Sequence, residues 1–161
     1  MLVTMKEILD RAKKDNYGVT SIMVDRSSLS YEDNIAQTKE TVKMCRPLNI
    51  SVEAELGHVG QSEDYSSDGS DHFTKPEEVK KFVEETGIDC LAVAIGTAHG
   101  RYHGTPHIDF DLLKQITDVV DIPLVLHGGS GTGDENLRKA VKMVFRKSTL
   151  QQNLSLPGKK N

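Results

Sequence analysis

The sequence predicts an α/β protein built on a parallel sheet, and three observations carry that reading. Short apolar runs alternate four times with helix-type patterns, as expected of consecutive strand–helix units joined by crossovers. The two longest connections, residues 57–73 and 97–108, both follow the C-terminal ends of expected strands. Ligands of parallel α/β folds bind at those ends, on the top face of a barrel or in the crevice of an open sheet. A glycine-rich turn, Gly128-Gly129-Ser130-Gly131, joins the last strand to the last helix.

The elements follow in order. Thr4 and Glu7 have capping-box spacing and open a short helix with Ile8, Leu9 and Ala12 on one side. Residues 21–25 read as the first strand, and a helix over 31–46 follows with Ser30 as its cap. The second strand is expected over 50–56. Thr74-Lys75-Pro76-Glu77 predicts a second capping box, and Gly87 the stop of that helix. A third strand over 90–96, a helix over 110–120, a fourth strand over 122–127 and a helix from about 135 to 145 complete the pattern. Residues 1–19 form an N-terminal segment, 20–146 the sheet domain, and 147–161 a polar, irregular tail.

Composition narrows the function. The 161 residues carry 20 Lys and Arg against 24 Asp and Glu, a net charge of −4. A nucleic-acid binder needs a strong basic patch, so that class is excluded. The longest apolar stretch, Cys90 to Ile95, is far short of the ~20 residues of a membrane span. The N-terminus lacks a basic region followed by an apolar run, so no signal peptide is expected. The two cysteines, Cys45 and Cys90, sit in apolar-patterned segments and read as reduced thiols. A soluble cytoplasmic protein fits these features.

The period of two along the second strand puts Ser51, Glu53 and Glu55 on one face and Ile50, Val52, Ala54 and Leu56 on the other. If Asp25 and His127 share the carboxylate face, Asp25, Glu53, Glu55 and His127 converge at the strand ends. Carboxylates gathered there require cations or hydrogen bonds, and a metal ion meets that need. His99 and His127 stand just past consecutive strands, each followed by glycine, so the pair is placed to share Zn²⁺. His58, His72, His103 and His107 fall in loops without paired geometry and read as surface residues. Backbone N–H groups of the glycine-rich turn, with the Ser130 hydroxyl, suit a phosphate.

Val52-Glu53-Ala54-Glu55-Leu56-Gly57, Glu63-Asp64, Ala94-Ile95-Gly96-Thr97-Ala98-His99-Gly100 and Leu124-Val125-Leu126-His127-Gly128-Gly129-Ser130-Gly131 together resemble the class II, zinc-dependent ketose-bisphosphate aldolases. That family includes the fructose- and tagatose-bisphosphate enzymes. The resemblance implies a partial TIM (β/α)8 barrel, strands four to seven with their helices plus an N-terminal helix. It implies that His99 and His127 are zinc ligands, that Asp25 and Glu55 serve a second cation or an alternative zinc position, and that Glu63 moves protons. It also implies that Gly100, Gly128, Gly129 and Ser130 hold dihydroxyacetone phosphate.

The pattern also departs from the family. Between Val19 and Thr20 the chain passes from the N-terminal helix to the family's fourth strand, omitting three strands and an Asp-His-Gly motif. That motif supplies the catalytic aspartate and the third zinc histidine. Past Val141 the match stops before the eighth strand. A (β/α)8 barrel typically takes ~250 residues, so an internally deleted, C-terminally truncated chain is expected. Two readings stay open: a zinc-assisted lyase that cleaves a ketose bisphosphate, and a non-catalytic remnant that binds metal or sugar phosphate or self-associates. Another phosphate-binding barrel enzyme, such as a sugar-phosphate epimerase, fits the motifs poorly.

Overall fold

The computed structural model describes residues 7, 9, 10, 18–59, 72–99 and 106–154, with side chains as far as residue 144. Within them, strands and helices alternate: β1 (Ser21–Val24), α1 (Tyr31–Cys45), β2 (Ser51–Leu56), α2 (Pro76–Thr86), β3 (Cys90–Val93), α3 (Phe110–Val119), β4 (Leu124–Val125) and α4 (Asp134–Leu154). A 3-10 turn, Arg46–Leu48, follows α1. The strands form one parallel sheet in the order β1-β2-β3-β4. Among the described residues β1 and β4 each pair on one side only, so the sheet is open at both edges. Strand–helix alternation and parallel pairing are as the sequence predicts.

The two faces of the sheet differ as the period of two requires. Val24, Val52, Ala54, Leu56, Leu91 and Val93 are buried under the helices. Register places Met23 and Cys90 on either side of Glu53, and Ala92 between Glu55 and Val125, on the opposite face. The helices pack in succession, α1 on α2, α2 on α3 and α3 on α4. Ile35, Thr38 and Val42 of α1, Val79 and Phe82 of α2, and Leu112, Leu113 and Ile116 of α3 face the core at helical spacing. Phe82 is wholly buried, the largest side chain to be so. Leu9 is the one buried residue described in the N-terminal segment; Glu7 and Asp10 are exposed.

Helix boundaries show which local signals govern. The Ser30 side chain accepts from the Asp33 N–H at 3.1 Å, and Asp109 caps α3 by accepting from the Leu112 N–H at 2.8 Å. Gly87 ends α2 with its N–H on the Val83 carbonyl. The second capping box does not form. Lys75 is the N-cap of α2 and makes no side-chain cap bond. Thr74 is buried between β2 and β3 instead, where its hydroxyl donates to the Leu56 carbonyl and accepts from the Ala94 N–H at 2.8 Å. Two buried backbone groups that would otherwise lose their partners outweigh one exposed cap. β3 and β4 are also shorter than the runs expected over 90–96 and 122–127, and α4 continues to Leu154, past the end expected near residue 145. No glycine or proline interrupts the chain before Pro157.

Candidate active site

Four side chains gather where the C-terminal ends of β2 and β4 meet the turns that follow β3 and β4. The inward face of β2 presents Glu53 and Glu55 two residues apart. The chain leaving β4 carries His127 between them. Its Nε2 is 2.8 Å from Glu53 Oε1 and its Nδ1 is 3.4 Å from Glu55 Oε2. A neutral imidazole has one N–H and serves one of these carboxylates as donor; only the imidazolium serves both. His99 lies alongside, its ring centroid 5.8 Å from that of His127 and its side chain exposed.

This approach depends on a glycine. Gly128 has a φ of +65°, and a Cβ there would lie 2.3 Å from the Ala98 carbonyl oxygen. Without a side chain at 128, the turn after β4 packs directly on the backbone after β3, which sets the two histidines side by side. Gly129 and Ser130 continue that turn toward the start of α4, with Ser130 exposed. Thr132 closes it, its hydroxyl donating to the Gly129 carbonyl at 2.7 Å.

Glu55 is the most constrained member, with its side chain only 2% exposed. Burial pushes its carboxyl above the usual carboxylate value, and the nearby Asp25 charge pushes the same way. The Val59 N–H, the Ser27 hydroxyl and His127 pull it back. Asp25 itself is exposed, and its Oδ1 accepts from the Ser27 N–H at 2.9 Å. Cys90 sits on the far side of Glu53, its Sγ 3.8 Å from Oε2. Burial, followed by the Glu53 charge, raises the Cys90 thiol to about 11.

The structure therefore brings Glu53, Glu55, His127 and His99 together, and puts Asp25 at the rim. Glu63 and Gly100 lie outside the described residues, as does His103. His58 is half-buried and departs from the surface reading, and exposed His72 is its ring neighbour. Their rings stand edge to face at 6.0 Å, and His58 Nδ1 is 2.9 Å from the Ser27 hydroxyl. Ser27 links this second histidine to Glu55, a role that no spacing in the sequence signals. His72 and His107 are exposed as expected.

Zinc takes imidazole nitrogens and carboxylate oxygens, and two histidines with a buried carboxylate match that preference. Among the described residues no three His, Cys, Asp or Glu side chains stand as a ready ligand set; both ring nitrogens of His127 face carboxylates instead.

A family model described as fructose-bisphosphate aldolase class-II matches residues 3–158. The chain belongs to the class II fructose-bisphosphate aldolase family. One relative of this aldolase-family chain is the uncharacterized protein YdjI of Escherichia coli K12, 43% identical over 139 residues, or 86% of this chain and 50% of that protein. The crystal structure of the YdjI aldolase superposes with a TM-score of 0.71 at 40% identity, covering 88% of this chain and 47% of that one. A putative fructose-1,6-biphosphate aldolase from Coccidioides immitis gives 0.72 at 34% identity, covering 94% and 59%. The fructose-bisphosphate aldolase of Campylobacter jejuni gives 0.64 at 26% identity, covering 84% and 44%. The aldolase-family chain thus spans about half the length of the curated relative it matches, and its four-stranded sheet is part of a TIM-type barrel fold.

Proposed function

We propose that this site serves zinc-assisted, reversible aldol cleavage of a ketose 1,6-bisphosphate to dihydroxyacetone phosphate and glyceraldehyde 3-phosphate. The observation that carries the reading is His127 held between Glu53 and Glu55, with His99 beside it, at the C-terminal end of a parallel sheet. His99 and His127 would hold zinc, with Glu55, and Asp25 at the rim, available to an alternative position or a second cation. When bound, zinc supplies Lewis-acid polarisation of the substrate's ketone oxygen.

The chain's own residues supply the rest. Glu53 fixes the His127 ring through Nε2. Glu55, buried and tethered on Oε1, keeps Oε2 toward the same ring. The N–H groups of Gly100, Gly128 and Gly129 and the hydroxyl of Ser130 would bind the dihydroxyacetone phosphate moiety, and Glu63 would move a proton. Fructose and tagatose bisphosphates share these requirements. A cytoplasmic location belongs to the same proposal, supported by two cysteines that remain free thiols.

The 161 residues contain no Asp-His-Gly, which favours a second reading, binding of zinc and sugar phosphate without turnover. One experiment separates the two. The purified chain is loaded with zinc, its metal content is measured, and triose phosphate release is followed from both bisphosphates. Zinc uptake with triose phosphate supports the lyase, and uptake with tight binding of dihydroxyacetone phosphate alone supports the binding protein. A chain that takes up neither metal nor sugar phosphate overturns both.

A further inference from the structure

A hydrogen-bond chain leaves the carboxylate cluster on the side of Glu55 turned away from His127. Glu55 Oε1 accepts from the Val59 N–H at 3.0 Å and from the Ser27 hydroxyl at 3.1 Å. The same Ser27 oxygen lies 2.9 Å from Nδ1 of His58. A serine hydroxyl has one proton to give. With that proton directed at Glu55, the oxygen can only accept from His58, so Nδ1 must carry the hydrogen. The ring is thereby assigned as the Nδ1–H tautomer, donating to Ser27, which donates to Glu55.

The backbone fixes where this chain begins. The His58 N–H donates to the His72 carbonyl at 2.8 Å, joining the two ends of segment 58–72. Gly57 precedes it at a φ of +76°, and a Cβ there would lie 2.7 Å from both the N and Oγ1 of Thr74. Thr74 in turn bridges β2 and β3. His58 therefore stands on a clamped stem and lines a cleft of about 260 Å³ shared with Tyr31, His72 and Lys75.

We propose that His58 and Ser27 are positioning residues for Glu55: they hold Oε1 turned outward, so that Oε2 stays presented to His127 and to a cation bound there. The consequence for metal binding rests on the proposed function, whereas the hydrogen-bond chain does not.

The test has two arms on the full chain. In the first, nitrogen NMR of ¹⁵N-histidine-labelled, metal-free protein reads the His58 tautomer. We expect a protonated Nδ1 in the wild type, and loss of that preference in Ser27→Ala. A wild-type His58 protonated on Nε2 alone overturns the proposal. In the second, zinc affinity is measured by competition with a chromophoric chelator. Ser27→Ala and His58→Leu are expected to weaken binding on the order of 10–100-fold, as loss of outer-shell partners does at metal sites. His58→Asn, whose amide N–H replaces Nδ1–H, should recover most of the affinity, and Ser27→Thr should retain it. Wild-type affinity in His58→Leu, or no recovery in His58→Asn, overturns the positioning role. A wild type that binds no zinc refutes the metal site itself, and the tautomer arm then decides this inference alone.

Discussion

Glu53 meets a different neighbour with each carboxylate oxygen, His127 through Oε1 and Cys90 through Oε2. Burial first, and then that contact, hold the Cys90 thiol protonated. With its thiol raised to about 11, only about one molecule in a thousand is thiolate at pH 8. Alkylation by iodoacetamide should be slow there and accelerate steadily toward pH 10. Glu53→Gln removes the charge and should speed the reaction at pH 8 several-fold; an unchanged rate would show that burial alone sets the thiol. Glu55 couples stability to pH. Its carboxyl is held above the ordinary value, chiefly by burial, so charging it is harder in the fold than in the unfolded chain. Its contribution to stability is full below the unfolded value and is lost as pH rises through the raised one. Urea unfolding in a chelator should therefore find Glu55→Gln gaining on the wild type as pH rises above the ordinary carboxylate value of 4.5, and a difference flat in pH refutes this. The carboxylate pair and His127 were legible because strand periodicity fixes faces. Ser27 and His58 were not, because their meeting depends on how the segment after β2 closes.

Thr74 shows where element-level reading works and where it fails. N-caps are sequence-local, and those at Ser30 and Asp109 need only their own first turn. Thr74 has capping-box spacing to Glu77, but two strand-end groups claim its hydroxyl, and that competition is visible only once β2 and β3 are adjacent. Replacing Thr74 with Val keeps the shape and removes both bonds. The expected cost is about 1–3 kcal/mol per buried group left unpaired, read as a lower urea midpoint, whereas Lys75→Ala at the true N-cap should change little. Strand number, order of elements and core faces were all legible from apolar spacing. Strand ends were not, since the apolar runs 90–96 and 122–127 extend beyond the ladder into the turns that carry His99 and His127.

At the scale of the whole molecule, the two open edges of the sheet dominate. β1 and β4 present unpaired strand edges among the described residues, and Met23, 39% exposed, lies on the same face as Glu53. Exposed edges and apolar surface favour association. Sedimentation velocity should show a coefficient that rises with concentration in the micromolar range, less so in Met23→Lys; a monomer throughout would count against it. The sheet order has one more consequence. Among the described residues every strand lies beside its neighbour in strand order, so no pairing there skips over a later strand. The chain can thus assemble in the direction of its synthesis, each strand–helix unit docking on the one before as it leaves the ribosome. The carboxylates of β2 are then in place before His127 emerges, and the pocket that receives this imidazole is complete before its occupant arrives.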